Sequence, residues 1–178
     1  MFNFNVPWFW NWKKYQSSLL LHLFVGSKLI SGKNNVLDLG CGEGFFFKWL
    51  DDRFRDGYLG GDFAVEPLKR ASMLGAQVFE CDLRTFGKQD LRKSFDNVVI
   101  LEVLEHLSPK YAKRLVEVAK HYVNPGGRLI VSVPYLFNCV ALGHVQFFTC
   151  SKLKKLIDSD NVVKYKKWLV GIWENKNS

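Results

Sequence analysis

The nine residues VLDLGCGEG, at positions 36–44, decide the fold of this chain. The first four are apolar apart from one aspartate and are predicted to form a buried strand. Glycines follow at alternate positions, which lets the backbone approach a ligand where any side chain would clash. The helix predicted next, over Glu43–Asp51, offers free N–H groups at its N-terminus. Because ligands of α/β sheets bind beyond the carboxyl ends of the strands, we expect a binding site at this loop.

The spacing of the glycines argues against a dinucleotide as the ligand. The dinucleotide fingerprint is G-x-G-x-x-G, in which the third glycine permits close helix–strand packing beneath a pyrophosphate. Here the pattern is G-x-G-x-G, with Phe45 at the place of that third glycine. Asp38, inside the motif, would repel a pyrophosphate and suits a cationic ammonium or sulfonium group. The sequence therefore favours a cationic ligand.

Strand and helix patterns alternate along the rest of the chain, as in a parallel sheet with crossover helices. An Asn-Pro-Gly-Gly turn at 124–127 is predicted to separate a long helix from the strand that follows it. The predicted helices cover Val65–Leu74, Pro109 to about Val123 with Ser108 as N-cap, and a last helix capped by Thr149 or Ser151 that runs through Ile157. The predicted strands cover Asn35–Leu39, Gly57–Asp62, Ala76–Glu80, Phe95–Leu101, Arg128–Val133 and two more within Val162–Trp173.

Length and composition fit one α/β domain over residues 1–178. A chain of 178 residues with 48% hydrophobic side chains can bury one core and has no room for two. Residues 1–31 are interpreted as an aromatic arm followed by an amphipathic helix over Lys13–Ile30. No apolar run approaches the ~20 residues of a membrane span, and a secretory signal is not expected. The scattered cysteines are interpreted as reduced thiols of a cytoplasmic protein: Cys41, Cys81, Cys139 and Cys150.

The net charge of +8 comes largely from the second part of the chain, where 12 Lys and Arg face 6 Asp and Glu after residue 100. Two interpretations remain open. One is a basic surface that attracts polyanions such as RNA, anionic lipids or phosphorylated metabolites. The other is a solvated helix face followed by an exposed strand. The lysines that carry the excess are Lys152, Lys154, Lys155, Lys164, Lys166 and Lys167.

The segment VLDLGCGEG resembles the first motif of class I S-adenosylmethionine-dependent methyltransferases, and the resemblance covers roughly residues 35–157. It implies a doubly wound, Rossmann-like α/β fold with a seven-stranded, mostly parallel sheet of order 3-2-1-4-5-7-6 and an antiparallel C-terminal strand. Asp62, which ends the second strand, matches the family's acid that accepts hydrogen bonds from both ribose hydroxyls. Asp82 matches the acid beside the adenine amino group; the alternative is a strand-end residue that caps the next turn. The cofactor site that the resemblance implies consists of Asp38, Gly40, Cys41, Gly42, Gly44, Asp62, Phe63, Asp82, Leu83, Leu101 and Glu102.

A second cluster, LEVLEHL at residues 101–107, follows the fourth predicted strand. If this segment is helical, Glu102, Glu105 and His106 share one face, and with His144 from a later loop they form a predicted site for Mg²⁺ or Mn²⁺. The segment resembles the E-x-x-E-H clusters of small-RNA 2′-O-methyltransferases, in which such residues hold a metal, and of ubiquinone-biosynthesis O-methyltransferases. It is also widespread in generic members of the family that are not known to need a metal. A metal-free site therefore stays open, in which the glutamates favour the helix N-terminus and His106 orients the substrate.

The resemblance implies a methyltransferase that uses S-adenosylmethionine, with three roles left open. The first moves a methyl group to an oxygen or nitrogen of a small-molecule, glycan or lipid-precursor acceptor, with His106, His144 and Glu105 as the catalytic candidates. The second is a metal-assisted RNA 2′-O-methyltransferase, favoured by the basic C-terminal part. The third is a cofactor-binding subunit without turnover. The arm is interpreted as a lid, a core staple or a peripheral membrane contact, through Phe2, Phe4, Trp8, Phe9, Trp10 and Trp12.

Overall fold

The computed structural model describes residues 21–32, 35–88, 90–135 and 143–177. Its strands are β1 (Val36–Leu39), β2 (Tyr58–Asp62), β3 (Val78–Glu80), β4 (Phe95–Leu101), β5 (Val123–Pro134), β6 (Val162–Tyr165) and β7 (Trp168–Glu174). They form one seven-stranded sheet in the order β3-β2-β1-β4-β5-β7-β6. β1 to β5 run parallel, and β7 runs antiparallel to both β5 and β6. The fold class and strand order that the resemblance implies are confirmed.

The helices of the described ranges after residue 35 are α1 (Phe45–Lys48), α2 (Val65–Met73), α3 (Pro109–His121) and α4 (Cys150–Ile157), and 3₁₀ turns cover Asp52–Phe54 and Leu104–His106. α3 begins at Pro109, as predicted, since proline at the first helical position gives up no intrahelical hydrogen bond. The Ser108 side chain makes no capping hydrogen bond, however. α4 is capped by Thr149, whose hydroxyl accepts a hydrogen bond from the amide of Lys152.

The core lies on both faces of the sheet, because successive residues of a strand point to opposite faces. Leu37 of β1 and Val98 of β4 belong to the cluster that packs against α3 and α4. Their neighbours Val36 and Val99 belong to the opposite cluster, which contains the buried side chains of α1. β1 is buried along its whole length. Such strands read as continuous apolar runs, and this explains why they could be located from the sequence.

The segment ahead of β1 docks against the sheet. Residues 21–24 are helical and continue into a π-helical turn, Val25–Leu29. Arg128 of β5 donates to the carbonyl of Leu29, and Asn97 of β4 bonds to both the amide and the carbonyl of Ser31. The earlier part of the predicted helix, from Lys13, and the whole aromatic arm lie outside the described residues. None of the described helices is long and apolar enough to cross a bilayer.

Two elements differ in length from their prediction by more than two residues. α1 was predicted over Glu43–Asp51 but covers only Phe45–Lys48, because Arg55 donates to the carbonyls of Lys48 and Leu50 and ends the helix. β5 was predicted from Arg128 but begins at Val123 and includes the Asn-Pro-Gly-Gly segment. There the backbone of Gly126 and Gly127 bonds to Asn175, which follows β7.

Candidate functional site

The glycine loop after β1 is tied to the end of β2 through one carboxylate. The amide of Gly42 donates to Asp62 Oδ2 at 3.0 Å, and the amide of Ala64 donates to Asp62 Oδ1 at 2.9 Å. Both carboxylate oxygens therefore have fixed directions, and each keeps a second lone pair. The parallel pairing of β1 with β2 brings the loop and Asp62 to the same edge of the sheet. Asp62 is thus held in place before any ligand arrives.

Two glycines of the loop meet different surroundings. Gly44 precedes α1 with a φ of 75°, and a Cβ there would lie 2.9 Å from the Cβ of Ala71 in α2. Glycine is required at this position by both backbone conformation and packing. At Gly42 the φ is 51°, but nothing lies within 4 Å of an added Cβ. At Gly42 the backbone of the loop therefore borders open space, where no side chain would obstruct a ligand.

Asp38 lies beneath the loop and is 2% exposed. The hydroxyl of Tyr58 donates to Asp38 Oδ2 at 2.7 Å. Burial raises the pKa of Asp38 to about 7, while the Tyr58 hydrogen bond lowers this pKa and the charge of Asp62 raises it. A cleft lies beside the glycine loop, and Asp38 is not among the described residues that line it. The prediction that Asp38 lies near a cationic group of the ligand stays a prediction.

The cysteines near the loop are packing residues. Cys41 is 6% exposed, and burial raises the pKa of its thiol far above the ordinary value. Burial also raises the pKa of Cys81 to about 12. Neither thiol is therefore a nucleophile near neutral pH. Cys41, Cys81 and Cys150 form no disulfide within the described part of the chain, and Cys139 lies outside the described residues.

Arginine side chains organise the loop that follows β3. Arg84 donates to both carboxylate oxygens of Asp82, and this hydrogen bonding lowers the pKa of Asp82. From α3, Arg114 donates to the carbonyls of Arg84, Thr85 and Phe86 at 3.2, 2.8 and 2.8 Å. Asp82 was expected at the site from the sequence, whereas Arg84 and Arg114 were not. The D-x-R spacing of Asp82 and Arg84 was a visible signal, whereas Arg114 is close only in the folded chain.

A cleft of about 570 Å³ opens where these loops meet the end of β4. It contains several of the predicted site residues: Gly40, Asp62, Phe63, Asp82, Leu83, Glu102 and His106. It is completed by residues that were not predicted: Arg84, Val103, Leu107 and Gly143. Five predicted residues support the loop or the strand end without lining the cleft: Asp38, Cys41, Gly42, Gly44 and Leu101. One side of the cleft thus carries the acids of β2 and β3, and the other carries Glu102 and His106.

A larger groove of about 950 Å³ lies between α4 and the end of β7. It is lined by none of the predicted site residues. Lysines and carboxylates are mixed in it, and Lys154 forms an ion pair with Asp160 at its wall. Its position at the far edge of the sheet and its mixed charge separate it from the site described above.

A hydrogen bond from Trp168 of β7 fixes the direction of the Glu102 side chain. Glu102 has a φ of 57°, in the left-handed region, so the segment after β4 does not continue as an α-helix. Its Oε1 accepts a hydrogen bond from the indole of Trp168, which is 1% exposed at the start of β7. The prediction that Glu102, Glu105 and His106 share a helix face is therefore wrong. Only Leu104–His106 form a helical turn, and it is of the 3₁₀ type.

Glu105, His106 and His144 do come together. Their ligand-type atoms all lie within 4.8 Å of one another, and the two imidazole rings meet edge to face with centroids 4.8 Å apart. Gln146 brings the two segments together, because its amide donates to the carbonyls of Leu104 and Leu107. Gln146, two residues after His144, was not expected at the site from the sequence.

The tautomer of His106 follows from its contact with Gly143. His106 Nδ1 lies 3.0 Å from the carbonyl oxygen of Gly143. A carbonyl oxygen only accepts, so the neutral imidazole carries its proton on Nδ1 and keeps a lone pair on Nε2. His106 is exposed and lines the cleft. An imidazole of this kind can take a proton from a molecule bound in the cleft.

Residues 37–131, more than half of the chain, match the family described as a methyltransferase domain. Over 116 residues the chain is 35% identical to a ubiquinone biosynthesis O-methyltransferase of Xylella fastidiosa strain 9a5c. That match covers 61% of this chain and 45% of the relative, so the chain spans less than half the length of the curated protein.

Solved structures show the same fold at low sequence identity. The N-methyltransferase NodS of Bradyrhizobium japonicum WM9, in complex with S-adenosyl-L-homocysteine, has a TM-score of 0.67 at 18% identity, over 97% of this chain and 93% of that one. A small RNA methyltransferase has a TM-score of 0.73 at 19% identity, over 92% of this chain and 25% of that one. With its glycine loop, its acidic strand ends and this strand order, the chain belongs to the methyltransferase domain family.

Proposed function

We propose that this chain is an S-adenosylmethionine-dependent methyltransferase that acts on an oxygen or nitrogen of a small-molecule, glycan or lipid-precursor acceptor. The observation that supports it most is the fixed carboxylate of Asp62, bonded to the amide of Gly42 at the mouth of the cleft. A carboxylate in this position can accept hydrogen bonds from both hydroxyls of a ribose. The match to the methyltransferase domain and the O-methyltransferase relative support the same conclusion.

The residues of the cleft suit the parts of this cofactor. Asp62 would hold the ribose, and Asp82 with Leu83 would border the adenine. The open space at Gly42 leaves room for backbone contact with the methionine part. When bound, S-adenosylmethionine supplies a methyl group already activated by the positive sulfur. The chain must chiefly hold the acceptor in line with that methyl group, and orientation of this kind contributes on the order of 7–11 kcal/mol.

For a hydroxyl acceptor the chain must also remove a proton. His106 is the candidate, because its Nε2 keeps a lone pair and its ring lines the cleft. The hydroxyl oxygen would form a bond to the methyl carbon, the carbon–sulfur bond would break, and the proton would move to Nε2. An amine acceptor with a free lone pair would not need this base.

Calorimetric titration with S-adenosylmethionine tests the proposal. Wild-type chain should bind the cofactor, and Asp62→Ala should weaken binding at least tenfold, since it removes the acceptor for the ribose hydroxyls and frees the glycine loop. Asp56→Ala is the matched control, because Asp56 is exposed and precedes β2 at the opposite edge of the sheet. Binding that is undetectable in the wild type, or equal in the two variants, would contradict the proposal. Binding without methyl transfer to any fraction of a cell extract would favour a non-catalytic subunit.

A metal-assisted RNA 2′-O-methyltransferase is a second candidate, and one observation favours it. Two imidazoles and one carboxylate lie close together at Glu105, His106 and His144, a donor set that divalent metals accept. Against it, the predicted fourth ligand, Glu102, is directed to Trp168. Titration with Mn²⁺ and Mg²⁺ separates the two candidates. Under the first proposal, neither ion stimulates methyl transfer. The Glu105→Gln variant then behaves like the wild type when either ion is added.

A further inference from the structure

The carboxylate of Asp82 is held from one side by Arg84. The backbone amide of Arg84 donates to Asp82 Oδ1 at 2.9 Å. The guanidinium of Arg84 donates through Nε to both carboxylate oxygens at 2.9 Å, and through Nη2 to Oδ2 at 2.6 Å. Three N–H groups of one residue therefore converge on this carboxylate. Both residues line the cleft, and the side chain of Asp82 is still 34% exposed.

These three donors leave little of the carboxylate's capacity to accept hydrogen bonds. An ionised carboxylate has about four acceptor positions and no donor. The hydrogen bonds from Arg84 lower the pKa of Asp82, so this side chain is ionised at neutral pH. Arg84 fills three of the positions, and about one remains. A group of this kind accepts a single N–H or O–H donor and repels a ligand atom that presents a lone pair.

The main chain that carries Asp82 and Arg84 is fixed as well. The amide and the hydroxyl of Thr85 both donate to the carbonyl of Asp82, at 2.9 and 3.1 Å. From α3, Arg114 donates to the carbonyls of Arg84 and Thr85. The backbone thus fixes where the carboxylate lies, and the guanidinium of Arg84 fixes the direction of its oxygens.

A second Asp-x-Arg segment shows that this spacing alone does not produce the arrangement. Asp51 and Arg53 lie between α1 and β2, at the opposite edge of the sheet. The amide of Arg53 donates to Asp51 Oδ1 at 3.1 Å, as at the cleft. However, Nε of Arg53 lies 3.7 Å from Oδ2, beyond hydrogen-bond distance, and its guanidinium lies over the ring of Phe54. The two-pronged contact of Arg84 with Asp82 is therefore a feature of the cleft.

We propose that Arg84 is a positioning residue that makes the cleft select a base with an exocyclic amino group, by directing the last acceptor position of Asp82 toward that group. The proposal rests on the methyltransferase function proposed above, in which Asp82 and Leu83 border the adenine, and adds the residue that determines specificity for this base. The amino group supplies the N–H donors of adenine, whereas its ring nitrogens accept. A carboxylate that is already oriented loses less conformational entropy when the base binds. Arg84 acts through Asp82 and takes no part in the transfer itself.

Calorimetric titration of the full chain with two ligands tests this role. One ligand is S-adenosylhomocysteine, and the other is its analogue in which unsubstituted purine replaces adenine. The wild type should bind S-adenosylhomocysteine at least tenfold more tightly, because the analogue lacks the donor to a charged acceptor. In Arg84→Gln this preference should fall to about threefold or less, through weaker binding of S-adenosylhomocysteine and unchanged binding of the analogue. Arg84→Lys keeps the charge but not the planar fork, so its preference should fall in the same way.

Arg53→Gln is the matched control, since it removes the arginine of the other Asp-x-Arg segment and should keep the wild-type preference. The unfolding midpoint of Arg84→Gln should stay near that of the wild type, because exposed ion pairs contribute little to stability. An unchanged preference in Arg84→Gln, or equal weakening of both ligands, would overturn the proposal. Tighter binding of S-adenosylhomocysteine by Arg84→Gln would also overturn it, because Arg84 would then compete with the base for Asp82.

The wild type separates this proposal from the one on which it rests. If the wild type binds S-adenosylhomocysteine and the purine analogue equally well, the role of Arg84 is wrong and the methyltransferase function still stands. If the wild type binds neither ligand, the methyltransferase function itself is contradicted.

Discussion

The hydroxyl of Tyr58 donates a hydrogen bond of 2.7 Å to the buried carboxyl group of Asp38. The two residues lie on neighbouring strands beneath the glycine loop, two residues apart in register. Burial raises the pKa of Asp38 to about 7, and this hydrogen bond opposes the rise. The ionised form of Asp38 therefore depends on Tyr58.

Tyr58→Phe should destabilise the fold more at high pH than at low pH. Above the Asp38 pKa the buried carboxylate loses its donor, which costs about 1–3 kcal/mol. At about pH 5 the carboxyl is protonated and the loss is smaller. Urea unfolding at the two pH values measures the difference. Tyr122→Phe is the control, because that buried hydroxyl donates to the neutral carbonyl of Gly87 and its loss should not depend on pH. An equal loss of stability at both pH values in Tyr58→Phe would contradict the raised pKa of Asp38.

His22 carries a pKa shift in the opposite direction to that of Asp38. Burial lowers its pKa from 6.5 to about 4, although the charge of Glu102 raises it. Between about pH 4 and 6.5 the unfolded chain binds a proton at His22 that the folded chain does not, so stability rises with pH. Over the same interval the folded chain keeps the proton of Asp38 that the unfolded chain loses, so stability falls with pH. The two contributions therefore oppose each other in the wild type.

Single substitutions should uncover these two contributions. In His22→Gln the Asp38 contribution remains, and stability relative to the wild type should fall with pH by on the order of 1 kcal/mol per pH unit. In Asp38→Asn the relative stability should rise with pH by a similar amount. Urea midpoints at several pH values between about 4 and 6.5 provide the measurement. If the urea midpoints of both variants and the wild type changed with pH in parallel, the pKa shifts assigned to His22 and Asp38 would be wrong.

Trp168→Phe should weaken the binding of S-adenosylmethionine through Glu102, one of the residues expected at the cofactor site. Phenylalanine keeps the ring buried at the start of β7 but removes the indole donor that directs the carboxylate of Glu102. We expect KM for S-adenosylmethionine to rise about tenfold, with a loss of stability of about 1 kcal/mol. The double variant Trp168→Phe/Glu102→Gln should lose little more affinity than Glu102→Gln alone, because the two residues act as a unit. Additive losses would show that Trp168 acts independently of Glu102.

Arg114→Lys should raise KM for S-adenosylmethionine and leave kcat nearly unchanged. Lysine cannot reproduce the planar fork that bonds three successive carbonyls of the loop after β3. That loop carries Arg84 and is proposed to border the adenine, which lies away from the transferred methyl. We expect an increase in KM of about tenfold, which corresponds to about 1.4 kcal/mol. The neighbouring exposed Lys113→Ala is the control, and a kcat effect in Arg114→Lys equal to its KM effect would contradict this role.

The elements that could be predicted from the sequence are those with local causes. β4 begins and ends at the predicted residues, Phe95 and Leu101, because it contains the apolar run Val98–Leu101, which is typical of a buried parallel strand. The start of α3 was predicted from Pro109 for a similarly local reason. The glycine loop and the acids that follow β2 and β3 were predicted because glycine spacing and strand-end carboxylates are visible in the sequence itself.

The features that were missed depend on individual contacts that the residue pattern does not show. α1 ends early because Arg55, seven residues after Lys48, donates to the carbonyl of Lys48, and β5 is long because the distant Asn175 bonds to Gly126 and Gly127. The helix face predicted from Glu102 fails because this residue adopts a left-handed conformation beside Trp168, 66 residues later. Periodicity alone does not show such contacts.

The strand order also divides the molecule by sequence. The residues proposed to hold the cofactor come from positions 38–102, whereas β6 and β7 form one continuous hairpin, Val162–Glu174. None of the described residues that line the cleft belongs to this hairpin, which reaches the cleft through the hydrogen bond from Trp168 to Glu102. A replacement hairpin, grafted as one segment, would therefore leave the proposed cofactor site intact only if it kept this tryptophan.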